Sequence, residues 1–260
     1  MSKTLLFIPC YNCEKQIIRV LAQIDKEVLS VTDEVIVVNN RSTDGTEAAV
    51  LKFIKERPEL NIHLLRNDDN YGLGGSHKVA FGYAIDNRFE KIIVLHGDDQ
   101  GNIKDALSVL KSDDLKYFDC LLGARFAKGS RLIGYSKFRT FGNRVFNLFF
   151  SAVIGKRIYD LGSGLNIYNV EFLKSNFYHR FADNLTFNCH MLLATDYYKQ
   201  KIKFFPISWR EEDQVSNVKM TSQAIKTFTM LFKYSFSKKK FITSDLRERS
   251  IERYSAKQIS

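Results

Sequence analysis

The first hundred residues alternate short apolar runs with segments of helical periodicity. Leu5-Leu6-Phe7-Ile8, Val35-Ile36-Val37-Val38 and Ile92-Ile93-Val94-Leu95 are unbroken apolar runs, the texture of strands buried on both faces of a parallel sheet. Between the first two, Ile17, Ile18, Leu21 and Ile24 recur at helical spacing within Glu14 to Val28. A second helix is predicted from about Thr46 to Lys55, with Ser42, Thr43 and Asp44 as capping residues, followed by a strand at Ile62-His63-Leu64-Leu65 and a helix around Lys78 to Ile85. Strands and helices alternating over short connections predict an α/β fold, a doubly wound αβα sandwich with a mostly parallel central sheet.

Beyond Cys120 the pattern loosens. It predicts a strand at Cys120-Leu121-Leu122-Gly123, a basic loop, a long helix from about Lys137 to Val153, a Gly-Ser turn at Gly162-Ser163-Gly164 leading into a strand, and a helix from about Asn188 to Tyr198. Phe204 to Trp209 reads as a late edge strand, because Pro206 lacks a ladder donor. Residues 1–220 form one expected domain, and 221–260 an appended amphipathic, basic tail. In that tail Ile225, Phe228, Leu231 and Phe232 share one helical face, and Lys238, Lys239, Lys240, Arg247, Arg249, Arg253 and Lys257 outnumber Asp245, Glu248 and Glu252. Such a segment suits a membrane surface, or else a core-packed helix with a solvated end.

Composition narrows the function classes. With 260 residues, 45% of them hydrophobic, the chain can bury a full core, and its net charge of +10 points to an anionic partner. Pro9 interrupts the first apolar run, and Val145 to Ile154 is about half the roughly 20 residues of a spanning helix. The expected location is the cytoplasm, with peripheral contact at the inner face of the membrane. Cys10 and Cys13 have CxxC spacing, but no second close pair exists, so structural thiols are the default reading. Gly72-Leu73-Gly74-Gly75 lacks the third glycine of a dinucleotide fingerprint and does not follow the first strand, and no GxxxxGK[ST] run exists. Without a basic stripe interleaved with aromatics, no nucleic-acid partner is expected.

Two of the apolar runs stop on polar clusters, Asn39-Asn40-Arg41-Ser42-Thr43-Asp44 and His96-Gly97-Asp98-Asp99-Gln100. Ligands of open α/β sheets gather just past the carboxyl ends of the strands. A shared crevice lined by Tyr11, Asn40 and Asp98 follows.

The order and spacing of Pro9-Cys10-Tyr11-Asn12, Val37 to Thr46, Asn70-Tyr71-Gly72-Leu73-Gly74 and His96 to Gln100 resemble family 2 glycosyltransferases. Leu122-Gly123-Ala124-Arg125-Phe126, Arg139 with Asn143, Asp160-Leu161-Gly162-Ser163-Gly164, and Pro206 to Arg210 followed by Ser216 to Lys219 resemble the polyprenyl-phosphate (dolichyl-phosphate) mannose synthase branch. The resemblance spans roughly residues 4 to 220. It implies a GT-A fold, a nucleotide-sugar donor and a divalent ion, Mg²⁺ or Mn²⁺. By the same resemblance Pro9 and Tyr11 contact base and ribose, Asn40 contacts the nucleotide, and Asp98 is the last carboxylate of a DxD motif that binds the metal. Arg125, Arg139 and Arg210 then hold phosphates, with Gln100 and Asn143 at substrate-contacting positions.

This chain departs from the family where paired aspartates are usual, at Asn39-Asn40, where a Glu is usual, at Cys13, and at the first Asp of DxD, here His96. Amides accept the same hydrogen bonds without charge. His96 is a candidate for metal ligation or for a hydrogen bond to the ribose. The expected activity is transfer of a sugar, with inversion, to a polyprenyl phosphate or to a glycan in cell-surface polysaccharide synthesis. A hydroxyl acceptor needs a base, for which Asp99, Asp160 and Glu211 are candidates. The alternative is a non-catalytic nucleotide-sugar-binding subunit.

Overall fold

Alternate residues of the first strand face two different cores. In the computed structural model, which describes residues 3–112, 114–213 and 220–260, Leu5 and Phe7 enter one apolar cluster and Leu6 and Ile8 the other. Ile36 and Val38 oppose Val35 and Val37 in the same way, as do Ile92 and Val94 against Ile93 and Leu95. This two-sided burial explains why the strands read as unbroken apolar runs. Each such side chain stabilises the fold by about 1.5–3 kcal/mol relative to exposure.

The strands are β1 (Thr4–Cys10), β2 (Glu34–Asn39), β3 (Ile62–Asn67), β4 (Lys91–Leu95), β5 (Cys120–Ala124), β6 (Arg131–Ile133), β7 (Leu165–Asn169), β8 (Ile202–Pro206), β9 (Ser208–Arg210) and β10 (Ala256–Gln258). Eight of them form one sheet in the order β10-β3-β2-β1-β4-β7-β5-β8. β3, β2, β1 and β4 run parallel, β7 is antiparallel to both β4 and β5, and β8 is parallel to β5. This is the mostly parallel αβα architecture expected.

The helices are α1 (Glu14–Leu21), α2 (Lys26–Leu29), α3 (Thr46–Glu56), α4 (Gly72–Asp86), α5 (Lys104–Lys111), α6 (Asp114–Tyr117), α7 (Lys137–Ile154), α8 (Val170–Leu173), α9 (Phe187–Tyr197), α10 (Met220–Phe236) and α11 (Lys238–Thr243). Residues of α1, α3 and α5 fill one core, while α4, α7, α9, α10 and α11 contribute to the other. None of the described helices is long and apolar enough to cross a membrane.

Three expectations change. The helix predicted from Lys78 begins at Gly72, because the glycines allow the first turn to lie against the backbone of residues 182 and 183: a Cβ on Gly74 would come within 2.4 Å of the Ala182 carbonyl oxygen. The segment Phe204 to Trp209 is two strands. β8 is the sheet edge and ends at Pro206, whereas β9 pairs in parallel with β6 in a separate two-stranded ribbon. Finally, the segment expected as an appended tail returns to the sheet, where β10 adds antiparallel to β3. The polar alternation of so short an edge strand gives no apolar run to read.

Candidate functional site

The crevice is set by a close approach of strand ends. The Gly97 amide donates to the Pro9 carbonyl at 3.0 Å and the His96 amide to the Gly164 carbonyl at 2.9 Å. A Cβ on Gly97 would meet the Pro9 oxygen at 2.9 Å, and one on Gly164 would meet the His96 ring carbon Cγ at 2.8 Å. The Gly162-Ser163-Gly164 turn is therefore small for proximity: a Cβ on Gly162 would likewise meet the Asn188 Cβ at 2.6 Å. β1, β4 and the turn before β7 thus open into one place.

Beside β2, neutral amides form a connected set. The Asn40 Oδ1 accepts from the Asn67 Nδ2 at 2.9 Å and from the Tyr71 amide at 2.8 Å, while its Nδ2 donates to the Asn70 Oδ1 at 2.8 Å. Asn39 Nδ2 donates to Glu47, which also receives Arg66, and Asn39 Oδ1 accepts the Ser42 amide. Both asparagines are buried, so they shape the pocket wall. Tyr11 is different: its ring is 49% exposed, and Asn12 beside it receives the Thr43 amide on its Oδ1 and donates its own amide to Ser42. Cys10 and Cys13 are buried, and the hydrogen bond between them, with burial second, pushes the Cys10 thiol well above its ordinary range.

Asp98 lies three residues past the end of β4. Burial pushes its carboxyl up to about 6, and its Oδ1 accepts the Gln100 amide at 3.2 Å. Asp99, the next residue, has φ of 61° and is 1% exposed. From this left-handed backbone its side chain enters a cage of donors. Arg19 Nε lies 2.5 Å from its Oδ2, Arg210 binds both its carboxylate and its carbonyl, and Gln23 reaches it at 3.4 Å. Arg19 also reaches Asp213. Arg19 and Gln23 lie in or just after α1, and no motif in the sequence singles them out.

The other arginines are paired as well. Arg125 binds the buried Asp160 through Nε and Nη2, both at 2.8 Å, beneath the rings of Phe126, Tyr135 and Trp209. Arg139 binds Glu211 at 2.6 Å, and Glu211 also receives Gln100. The Asn143 amide, one turn along α7, donates to Tyr135 Oη and to the Arg139 carbonyl. The structure therefore gathers Asp98, Gln100, Arg139, Arg210 and Asn143 around one loop cluster, with Arg125 deeper. Each base candidate, Asp99, Asp160 and Glu211, has an arginine on it. Ser216 to Lys219 lie outside the described residues.

The donor set for a divalent ion is small. Among the described residues no group of three or more His, Cys, Asp or Glu side chains converges. Asp98 offers one hard oxygen donor, and the buried His96 Nε2 has no hydrogen-bond partner, while burial pushes the ring down to about 4 and keeps it neutral. An unpartnered imidazole nitrogen two residues before a carboxylate supplies the donor types of an ion that completes its shell with diphosphate oxygens, and a nitrogen ligand suits Mn²⁺ better than Mg²⁺.

The family pattern described as Glycosyl transferase family 2 matches residues 6–177. An uncharacterized protein of Methanocaldococcus jannaschii is 25% identical over 233 residues, covering 88% of this chain and 97% of that protein. A dolichyl-phosphate beta-glucosyltransferase of Trichomonas vaginalis is 26% identical over 241 residues, covering 85% and 71%. Among solved structures, glucosyl-3-phosphoglycerate synthase from Mycobacterium tuberculosis, in complex with Mn²⁺, UDP and phosphoglyceric acid, superposes with a TM-score of 0.64. The two are 12% identical, and the match covers 99% of this chain and 86% of that one.

Proposed function

The chain belongs to glycosyl transferase family 2, and we propose that it moves a hexose from a nucleotide-sugar donor to a polyprenyl phosphate at a membrane surface, with inversion. The observation that carries the acceptor half of this reading is the pairing of every candidate base with an arginine. A hydroxyl acceptor needs a free carboxylate, whereas a phosphate is already ionised and needs cationic donors. Arg139 and Arg210, about one-third exposed, supply them with the planar fork that binds two oxygens at once.

In this mechanism the nucleotide sits against Pro9, Tyr11 and the Asn40 wall, and Asp98 and His96 would hold a divalent cation. When bound, that cation neutralises charge on the departing diphosphate. Arg139 and Arg210 place an acceptor phosphate oxygen behind the anomeric carbon. A bond forms from that oxygen as the bond to the nucleoside diphosphate breaks, so no proton moves to a base.

The lipid part of the acceptor is supported by a second surface. α7 leaves Phe138, Phe141, Leu148 and Phe149 exposed, α10 leaves Ile225, Phe228, Phe232 and Phe236 exposed, and Phe149 meets Phe228 edge-on at 5.8 Å. Neither helix contains Asp or Glu. A contiguous apolar face without acidic residues suits an anionic bilayer, and Arg139 of α7 lies in the site itself. The test is nucleoside diphosphate release from a panel including UDP-glucose and GDP-mannose, with Mn²⁺ or Mg²⁺, using polyprenyl phosphate in anionic vesicles as acceptor. Sugar-loaded lipid phosphate is expected. Transfer to a saccharide hydroxyl alone would overturn the acceptor assignment, and no turnover with any donor would favour a binding subunit.

A further inference from the structure

Residues 249–258 run back across the loop that carries the donor-side amides, and we propose that they form a strap that positions this loop for the nucleotide, with Arg249 as a positioning residue. The proposal rests on Asn40 lying in the donor site. Asn40 holds nothing by itself; its amide is fixed by Asn67, Asn70 and Tyr71. Each following residue of that loop is in turn held from outside. Asp68 exchanges two hydrogen bonds with Ser255, its amide donating to the Ser255 carbonyl at 3.0 Å and its Oδ2 accepting the Ser255 hydroxyl at 2.6 Å. Arg249 spans the turn, with Nη1 on Asp69 Oδ2 at 2.8 Å and Nη2 on the Asn70 carbonyl at 2.6 Å. The Tyr254 ring packs edge-on against Tyr71 at 5.3 Å.

The strap is itself anchored. The Tyr254 hydroxyl donates to Asp183 Oδ2 at 3.0 Å and receives the fully buried Lys78 Nζ at 3.1 Å, and Lys78 also binds Asp183 Oδ1 at 2.7 Å. The Asp183 carbonyl accepts the Gly74 amide at 2.7 Å, so the anchor grips the far end of the same loop. Gly72, at φ of 72°, leaves no room for a Cβ beside that carbonyl. The donor loop is thus clamped between residues 182–183 on one side and the strap on the other. A bidentate arginine across a turn fixes geometry that a lysine cannot reproduce.

The experiment uses the full chain with Arg249→Ala and Arg249→Lys, measuring Mn²⁺-supported binding of UDP and GDP, donor and acceptor KM, kcat and Tm. Loss of an exposed pair predicts about five-fold weaker nucleotide binding and a matching rise in donor KM for Arg249→Ala. Arg249→Lys should recover part of that loss, with kcat and acceptor KM within about two-fold of the parent in both. Unchanged nucleotide affinity, or acceptor KM and kcat worsening in step with donor KM, would overturn the strap. Asn40→Ala separates the two readings. If it weakens nucleotide binding and Arg249→Ala does not, the donor site stands without the strap; if neither variant matters, or the parent binds neither nucleotide, the donor reading fails and the strap with it.

Discussion

The two walls of the crevice use opposite chemistry. The wall proposed to take the donor is held by neutral amides, Asn40 with Asn67, Asn70 and Tyr71, and the wall proposed to take the acceptor by Arg139 on Glu211 and Arg210 on Asp99. An amide set of this kind is geometrically fixed and indifferent to salt, because no member carries charge. The Arg139–Glu211 pair is 30% and 19% exposed and worth roughly 0–1 kcal/mol, and the buried Asp99 keeps Arg19 when Arg210 turns away, so in the proposed reaction a phosphate would draw either arginine at modest cost. Arg125 does not follow this rule. Arg125 is itself only 12% exposed and its partner Asp160 1%, so this pair is buried at both ends, and breaking a buried pair costs about 3–5 kcal/mol. In the proposed reaction Arg139 and Arg210 are exchangeable ligands, whereas Arg125 is a fixed post whose charge reaches Asp98 and His96 through space.

The sharpest test lies at the seam between the walls. Asp98→Asn keeps an oxygen for the Gln100 amide but removes the charge that balances a cation, so turnover should fall by at least about 100-fold at saturating Mn²⁺. Circular dichroism and Tm should stay near those of the parent. Near-normal turnover in this variant would remove Asp98 from the metal site.

Neutral construction also underlies α9, which packs against α4. His190 stacks between Phe181 at 5.4 Å and Phe241 at 5.6 Å, and its Nδ1 lies 2.9 Å from the Thr186 carbonyl. Burial, with Lys78 adding to it and the Thr186 carbonyl opposing it, pushes the ring down to about 4. Unfolded chains bind this proton near 6.5, so between these values the unfolded state holds more protons than the fold. Stability is then fully present above about 6.5 and is lost as pH falls toward 4, by on the order of 2–3 kcal/mol at most. His190→Phe should flatten the decline in Tm between pH 7 and pH 4.5. Parallel declines in parent and variant would show that other groups set acid lability.

On the acceptor wall, Arg210→Lys and Arg139→Lys keep charge and lose the fork. Each should lower kcat/KM for a phosphate acceptor about ten-fold, with a steeper dependence on ionic strength than the parent and an unchanged donor KM. Equal losses against donor and acceptor would mean that these arginines shape the crevice as a whole, and the contrast between the walls would lose its meaning.

The strands on the Asn40 side of the crevice, and the polar residues at their ends, were legible because their physics is local. Unbroken runs such as Val35 to Val38 announce strands buried on both faces, and the polar residues that end them fall at the strand termini where ligands gather. The acceptor wall was legible only as residue types: Arg125, Arg139 and Arg210 stand out, but their carboxylates come from residues 160, 211 and 99, separations that no periodicity encodes. Asp99 shows the limit most plainly. It reads as a second carboxylate beside Asp98, yet a positive φ turns it to Arg19, a helix residue with no motif. The return of residues 256–258 to the sheet was hidden for a related reason, since a short polar edge strand pairs through its backbone.

The smallest expected effect tests whether the donor wall needs neutrality or only hydrogen bonds. In Asn40→Asp the first oxygen keeps the bonds from Asn67 and Tyr71, but the second would face the Asn70 Oδ1 that now receives the Asn40 Nδ2. Rotating the Asn70 amide turns that clash into an attraction, at the expense of the bond its Oδ1 accepts from the Gly72 amide at 3.1 Å. The net cost should therefore be about 1 kcal/mol or less in stability. Nucleotide affinity should change no more than a few-fold, with a shift in the ratio of UDP to GDP binding as its main signature. Calorimetry of both nucleotides against the variant checks this. A loss as large as that expected for Asp98→Asn would show that the wall tolerates no charge, and would sharpen the division between a neutral donor side and an ionic acceptor side.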